Sequence, residues 1–372
     1  MSKLSIVKRN GRRVLCSPTP NISHASQLTM ARILTSASIA CLFSIVAGVG
    51  ALFTQSNMTS AAAETTYTTL VRKNLASFHV NLSQGNYTLN GALNSPQIHW
   101  NYDGTTIIGR AAAVAALGAF AGEGGPLRGI SVTDRYLLVD GRVGMVLYSL
   151  QGALAAPIPG VPFREGALYD ALGVERFVFD EAALAEDLVT VDQFGRIAAQ
   201  VAGPAEDLPS SVASPGALAP NPQTRREFRE KIRRNLAILH RNVNAGDADA
   251  NAALAVEDVV VNDNGVDERI GRGAFVDFVA GKSVGMGAFP LKTFHDFHVI
   301  ADGKQGAVEY VWQGEQKSTY NGIEVVEGAR VRVRGMLFFE LDDEGLVTKV
   351  TGVHDEAHLG LQLSGKGGYL YP

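Results

Sequence analysis

Arg72-Lys73-Asn74-Leu75-Ala76-Ser77-Phe78-His79-Val80-Asn81, running on to Gly85, returns later in the chain. The second copy is Arg233-Arg234-Asn235-Leu236-Ala237-Ile238-Leu239-His240-Arg241-Asn242, running on to Gly246. Arg, Asn, Leu, Ala, His, Asn and Gly recur at a shift of 161. Ala92-Leu93 answers to Ala253-Leu254, and after one inserted residue the shift becomes 162. Gly109-Arg110 then pairs with Gly271-Arg272, Asp134 with Asp296, and Asp140-Gly141 with Asp302-Gly303. Tyr148 answers to Tyr310, Gln151-Gly152 to Gln313-Gly314, Phe177 to Phe339, and Asp180 to Asp342. So long a register points to tandem duplication. The period is too long for a solenoid unit, so the reading is two whole domains of one fold.

Within each copy the patterning places helices before strands. Val71, Leu75, Phe78 and Leu82 form one apolar stripe, which predicts a helix over 67–83 ended by Gly85. A second helix passes Leu89 to Leu93, a short strand covers 97–101, and Gly109-Arg110 opens an Ala-rich helix to about Phe120. Strands over 131–139 and 142–150 turn at Asp140-Gly141, a hairpin signal. The last two strands lie at 175–179 and 188–191. Pro204, Pro209, Pro215, Pro220 and Pro222 mark 203–223 as a stiff linker, and Thr224 with Glu227 forms a capping box. The order then repeats, with strands over 331–341 and 346–353 closing the second copy and 359–372 left as a Gly-rich tail. The predicted class is α+β: two tandem domains, 64–202 and 224–358, each with N-terminal helices covering one face of a curved antiparallel sheet.

The 372 residues are 46% hydrophobic and 19% charged, ample for two cores. A formal charge of −4 gives no field for nucleic acid. Residues 1–63 contain no Asp or Glu, carry six Lys or Arg, and hold an apolar run at 33–53 followed by Ala61-Ala62-Ala63. This reads as a leader for secretory export, with Met30 as an alternative start. An uncleaved membrane anchor and an organelle transit segment are the rivals, so a membrane enters only if the leader stays. Cys16 and Cys41 both fall in it, so a processed chain has no disulfide and no thiol ligand.

The opening helix with its terminal Gly, the strand before each Gly-Arg pair and the long hairpin together resemble the SnoaL-like polyketide cyclases of the nuclear transport factor 2-like cone fold. The closing pairs match as well, Phe177-Val178-Phe179-Asp180 to Val191-Asp192 and Leu337-Phe338-Phe339-Glu340 to Val353-His354. The resemblance covers about 130 residues of each half. It implies a conical cavity between sheet and helices, and a family of cyclases, dehydratases, isomerases, epoxide hydrolases and non-enzymes. In such cyclases an Asp near the end of the last strand is the acid/base. By position this maps to Asp192, with His354 at the same point of the second copy and Asp355 beside it.

Beyond those two, His79 and His240 are either seam residues of helix one or polar groups that orient a substrate carbonyl. Trp100 and Asn262 lie nearest the place where isomerase-type relatives keep a base, a departure that argues against an isomerase mechanism of that kind. Asp263, one residue on, is expected to face the other way. Trp100 is therefore read as pocket wall or core. Tyr148 and Tyr310 offer a hydroxyl on an apolar body, suited to a cavity or to sheet packing. Arg330, Arg332 and Arg334 share a strand face, read as solvated or interfacial. No metal site is expected: His295 and His298 fall three apart on a strand, and His354 to His358 lacks the zincin Glu. Nor is there a phosphate loop or nucleophile elbow, so no cofactor is expected. The expected partner is a small apolar ligand, converted by acid/base chemistry or merely carried, with an interaction module as a third reading. Duplicated self-complementary surfaces predict that the halves pair as an intrachain pseudo-dimer.

Overall fold

The computed structural model describes residues 60–102, 104–158, 161–202, 226–263, 267–282, 286–320, 323–326, 328–354 and 356–365. The apolar run of the leader, both cysteines, the Pro-rich linker, Thr224, Asp355, Tyr369 and Tyr371 lie outside them. No helix among the described residues is long and apolar enough to cross a membrane.

Helix α1 (Ser60–Ser83) and α2 (Tyr87–Ala92) lead into β1 (Asn94–Tyr102), β2 (Thr105–Ile108) and α3 (Arg110–Ala121). Strands β3 (Leu127–Asp140), β4 (Val143–Leu154), β5 (Leu168–Phe179) and β6 (Ala185–Asp192) follow, then α4 (Phe194–Ala202). The second half repeats this order. It runs α5 (Arg226–Ala245), α6 (Ala248–Ala252), β7 (Ala255–Asp263), β8 (Asp267–Ile270), α7 (Arg272–Val279), β9 (Lys292–Asp302), β10 (Gln305–Glu315), β11 (Arg330–Leu341), β12 (Val347–His354) and α8 (Glu356–Leu363).

Each half forms a six-stranded sheet, ordered β2-β1-β6-β5-β4-β3 and β8-β7-β12-β11-β10-β9. The sheets are mixed rather than wholly antiparallel, because β1 pairs with β6, and β7 with β12, in parallel. A hairpin enforces antiparallel pairing, whereas β1 and β6 meet only after the whole meander, which leaves their relative direction free. Helices α4 and α8 come where the sequence offers only a domain end and a tail. The 359–372 segment therefore begins inside α8, with Leu359 and Leu363 buried.

The repeated residues do repeated work. Gly109 and Gly271 take positive φ, 90° and 105°, at the starts of α3 and α7, a backbone shape that favours glycine. The arginines that follow reach back to the first residue of the neighbouring strand, Arg110 Nε to the Asn94 carbonyl and Arg272 Nε to that of Ala255, each 2.8 Å. Asn74 and Asn235 donate to the turn carbonyls of Ala183 and Gly345 before β6 and β12. These contacts fix helix one over the concave sheet face, and each half's apolar core lies between them.

The described residues of both halves belong to one compact unit. The other faces of the two sheets meet in a third apolar cluster. Leu138, Met145, Leu147 and Val174 come from one side, and Ile300, Met336, Phe338 and Val353 from the other. Its rim is reciprocal. Arg72 Nη2 reaches Asp302 Oδ2 at 2.5 Å, and Arg233 Nε reaches Asp140 Oδ2 at 2.6 Å. The same carboxylates accept from Val139 N at 2.9 Å and Ala301 N at 3.1 Å. Removing Asp140 deprives a backbone amide and a guanidinium of their partner at once. Asp140→Ala is expected to cost about 1–3 kcal/mol, read as a lower urea midpoint at unchanged slope.

Candidate active site

In the first half the concave face holds a cavity of about 60 Å³. Its wall is apolar: Phe78 and Leu82 of α1, Trp100 and Tyr102 of β1, Leu117 and Phe120 of α3, and Leu150 of β4 contribute. Tyr102, Phe120 and Phe194 pack edge to face, with ring centroids 5.5–6.4 Å apart. The polar groups on the wall are Tyr148, Glu175, Thr190 and Asp192.

Asp192 is the last residue of β6 and 3% exposed. Tyr148 donates to its Oδ1 at 2.7 Å and Tyr102 to its Oδ2 at 2.9 Å. Burial raises its pKa to about 6, against the pull of the two phenol hydrogen bonds; Glu175 pushes the same way as burial and His79 opposes it. A carboxylate so placed can take or give a proton near neutral pH. Tyr148 itself is driven well above 10 by burial and the Asp192 charge, so it stays a donor. Opposite it on β5 stands Gly173. A Cβ there would lie 2.2 Å from Tyr148 Cζ and 2.4 Å from Asp192 Oδ1. Gly173→Ala is expected to break the Tyr148–Asp192 bond and lower stability by about 1–3 kcal/mol, with the melting temperature as the check.

Behind this wall a polar chain crosses the helix–sheet seam. His79 Nδ1 bonds Asp134 Oδ1, and Nε2 lies 3.1 Å from Glu175 Oε2. Thr190 Oγ1 donates to Glu175 Oε1 at 3.0 Å and accepts from Trp100 Nε1 at 3.0 Å. Burial would lower the His79 pKa, but Glu175 and Asp134 together outweigh it and raise it to about 10. With both nitrogens taken by carboxylates, His79 has no ring nitrogen left to orient a substrate carbonyl. Asp134 and Glu175 carry this arrangement; the sequence marked Asp134 only as the repeat partner of Asp296 and Glu175 only as the start of a strand. A visible signal was the charged Glu175 inside the apolar run of β5.

The second half keeps the helix histidine, its strand aspartate and the hairpin tyrosine, and departs elsewhere. The register equates Trp100 with Val261 and Tyr102 with Asp263, because the inserted residue comes after β1 and not before it. Asp263 is thus on the cavity side and Asn262 on the other, the reverse of the sequence expectation. Leu337 stands for Glu175, Gly352 for Thr190, and His354 for Asp192. Phe278, Phe294 and Trp312 replace Ala116, Val132 and Leu150, and the cavity shrinks to about 20 Å³, room for about one water. His354 and Tyr310 line this remnant. His240 keeps its bond to Asp296 and stacks on Phe294 at 4.6 Å, 11° from parallel. Its Nε2 has no hydrogen-bond partner among the described residues. Among these residues no group of three His, Cys, Asp or Glu stands ready to hold a metal ion.

Residues 237–350, within this second half, match the SnoaL-like domain family. No curated relative matches the chain. Among solved structures, a candidate polyketide cyclase from Xanthomonas campestris pv. campestris shares 27% identity over 37% of this chain and 98% of its own, with a TM-score of 0.32. A candidate SnoaL-like polyketide cyclase from Jannaschia sp. CCS1 shares 19% over 38% and 97%, with a TM-score of 0.33. A candidate polyketide cyclase from Streptomyces antibioticus shares 18% over 36% and 99%, with a TM-score of 0.31.

Proposed function

We propose that the first half is an acid/base enzyme for a small, largely apolar, enolisable carbonyl compound, of cyclase, dehydratase or isomerase type, and that the second half is its scaffold. One observation carries the reading: a buried carboxylate with a pKa of about 6, held by two phenols at the wall of an apolar cavity. The SnoaL-like match over 237–350 lies in the second half and bears on the first through the sequence repeat. Asp192 takes a proton from the carbon beside the carbonyl, and Tyr148 and Tyr102 fix which of its oxygens faces the substrate. Side-chain acid/base chemistry of this sort requires no cofactor. In the same reading the halves are duplicated domains, each standing in for a second subunit, and the chain is exported by its leader.

The test is deuterium uptake at the α-carbon of cyclohexanone and cyclohex-3-enone in D2O, followed by NMR. Wild type and His354→Ala are expected to catalyse exchange, with a rate that rises through about pH 6 as Asp192 ionises. Asp192→Asn is expected to abolish it. Exchange that survives Asp192→Asn but not His354→Ala would move the chemistry to the second half. Binding without exchange in any variant would make the protein a carrier.

A further inference from the structure

The second half carries an amine where the first has a hydrocarbon. At the shift of 162, Lys292 stands at the position of Ile130, which lines the first-half cavity. Lys292 is the first residue of β9. It lines the remnant cavity on one side and a surface groove on the other. Its Nζ donates to the Gly281 carbonyl at 2.6 Å and lies 5.6 Å from the centroid of the Trp312 ring. The groove encloses about 660 Å³, the size of a small-molecule site. Val243, Val276, Phe289, Pro290, Leu291 and Phe294 give it an apolar wall.

Two lysines reach this groove, and their surroundings differ. Lys282 is solvated and paired with Asp277 at 3.2 Å. The Lys292 amine sits deeper, against a carbonyl and an indole face. Taking an amine out of water into an apolar wall is unfavourable, and Ile130 shows that the fold accepts a hydrocarbon at this place. Packing alone therefore gives no reason for a lysine here. Burial, reinforced by the nearby Lys282 charge, pushes the Lys292 ammonium down to about 8. The other titratable groups around it are Tyr310 of β10 and His354 of β12 on the remnant side, and Asp247 on the groove. At pH 7 about a tenth of this lysine is free amine, far more than of a solvated one.

We propose that the second half holds a covalent carbonyl-binding site, in which the groove takes an apolar aldehyde and the Lys292 amine attacks its carbonyl carbon. The nitrogen lone pair forms the C–N bond, and the carbonyl oxygen becomes the hydroxyl of a carbinolamine. That C–O bond then breaks. Both amine hydrogens leave with the oxygen as one water, and an imine remains. Nothing is oxidised or reduced. The apolar wall holds the aldehyde's tail, while the Gly281 carbonyl and the Trp312 face place the amine where the groove meets the remnant cavity. This site is separate from the chemistry proposed for the first half and does not depend on it.

The probe is hexanal with sodium cyanoborohydride, which reduces an imine to a stable hexylamine, applied to the intact chain and read by peptide mass mapping of each lysine. At pH 7 Lys292 is expected to be alkylated about 10-fold faster than Lys282 or Lys317. The excess is expected to shrink toward pH 10, where the solvated amines also lose their protons. Glycolaldehyde, which has no apolar tail to bury, is expected to lose most of that preference. Lys292→Arg keeps the charge and is expected to lose the fast adduct while the slow ones stay. Lys292→Ile, the residue of the first half, is expected to do the same, so a folding failure of one variant by circular dichroism leaves the other to decide. Alkylation of Lys292 no faster than that of Lys282, or an equal preference with glycolaldehyde, overturns the proposal. A fast adduct that survives in either folded variant overturns it as well.

Discussion

Asp192→Asn is expected to lose at least 100-fold in turnover and yet to be the more stable protein at pH 8. The first half of that statement follows from geometry, since Asn keeps the shape but cannot accept the proton. The second follows from linkage. In the unfolded chain Asp192 titrates near its ordinary value of 3.8, whereas burial in the fold raises it to about 6. Between those values the native state binds the proton more readily than the unfolded state. Stability from this group is therefore full below 3.8 and falls as pH rises through 6. The shift corresponds to about 3 kcal/mol at pH 8. Asn avoids that penalty and gives back part of the gain, because Tyr148 and Tyr102 lose a charged acceptor. Melting temperatures at pH 5 and pH 8 test it: the variant's gain over wild type should be larger at the higher pH. A site that sacrifices stability to hold a charge in an apolar cavity is the expected mark of function.

Glu309→Ala is expected to cost about 3–5 kcal/mol, the largest stability loss of any single substitution proposed for the chain. Glu309 is 0% exposed and sits where the two sheets meet. His298 Nδ1 approaches Oε2 at 2.8 Å, Arg176 Nε reaches the same oxygen at 3.1 Å, and Arg334 Nε lies 3.6 Å from Oε1. Arg176 comes from the first half, so this carboxylate joins both halves. Burial alone would raise its pKa, but the His298 hydrogen bond and the two guanidinium charges hold it at about 2. Its contribution is thus full above the ordinary 4.5 and is lost as pH falls toward 2. Alanine would remove the carboxylate that two buried arginines share, leaving Arg176 with Asp187 and Arg334 over the Phe297 ring. Arg176→Met combined with Glu309→Leu, an apolar replacement of similar size, should recover much of the loss. Urea unfolding at pH 7 and pH 3.5 checks both statements, with the wild-type and Glu309→Ala curves drawing together at the lower pH.

The sequence carried the architecture where local physics and repetition agreed. Helix one was legible from the Val71–Leu75–Phe78–Leu82 stripe, and the hairpins from Asp140-Gly141 and Asp302-Gly303, whose glycines take φ of 60° and 64°. Strands β2 and β8 were not, because four residues at a sheet edge show no usable alternation. Helix α4 was hidden by following β6 after a single residue, Gln193. The wall of the candidate site was legible at Asp192, Tyr148 and Trp100 because the closing strand, the hairpin and β1 could each be located. Asp263 was set on the wrong side by one residue of register, the kind of error that a strand's period of two turns into a reversed face. The Glu309 cluster was out of reach, since its partners lie 11 to 133 residues away in the chain. A hint remained in the 145–150 run of β4 and the 307–312 run of β10, each apolar but for one residue and buried on both faces.

The account rests most directly on the ionisation of Asp192. Aspartate side chains labelled with ¹³C can be titrated by NMR, with Asp192→Asn used to assign the carboxyl signal. The expected result is an Asp192 midpoint at about 6, displaced on binding of cyclohex-2-enone. A midpoint at or below the ordinary 3.8, unmoved by the ketone, would mean a solvated or merely structural carboxylate and would contradict the site.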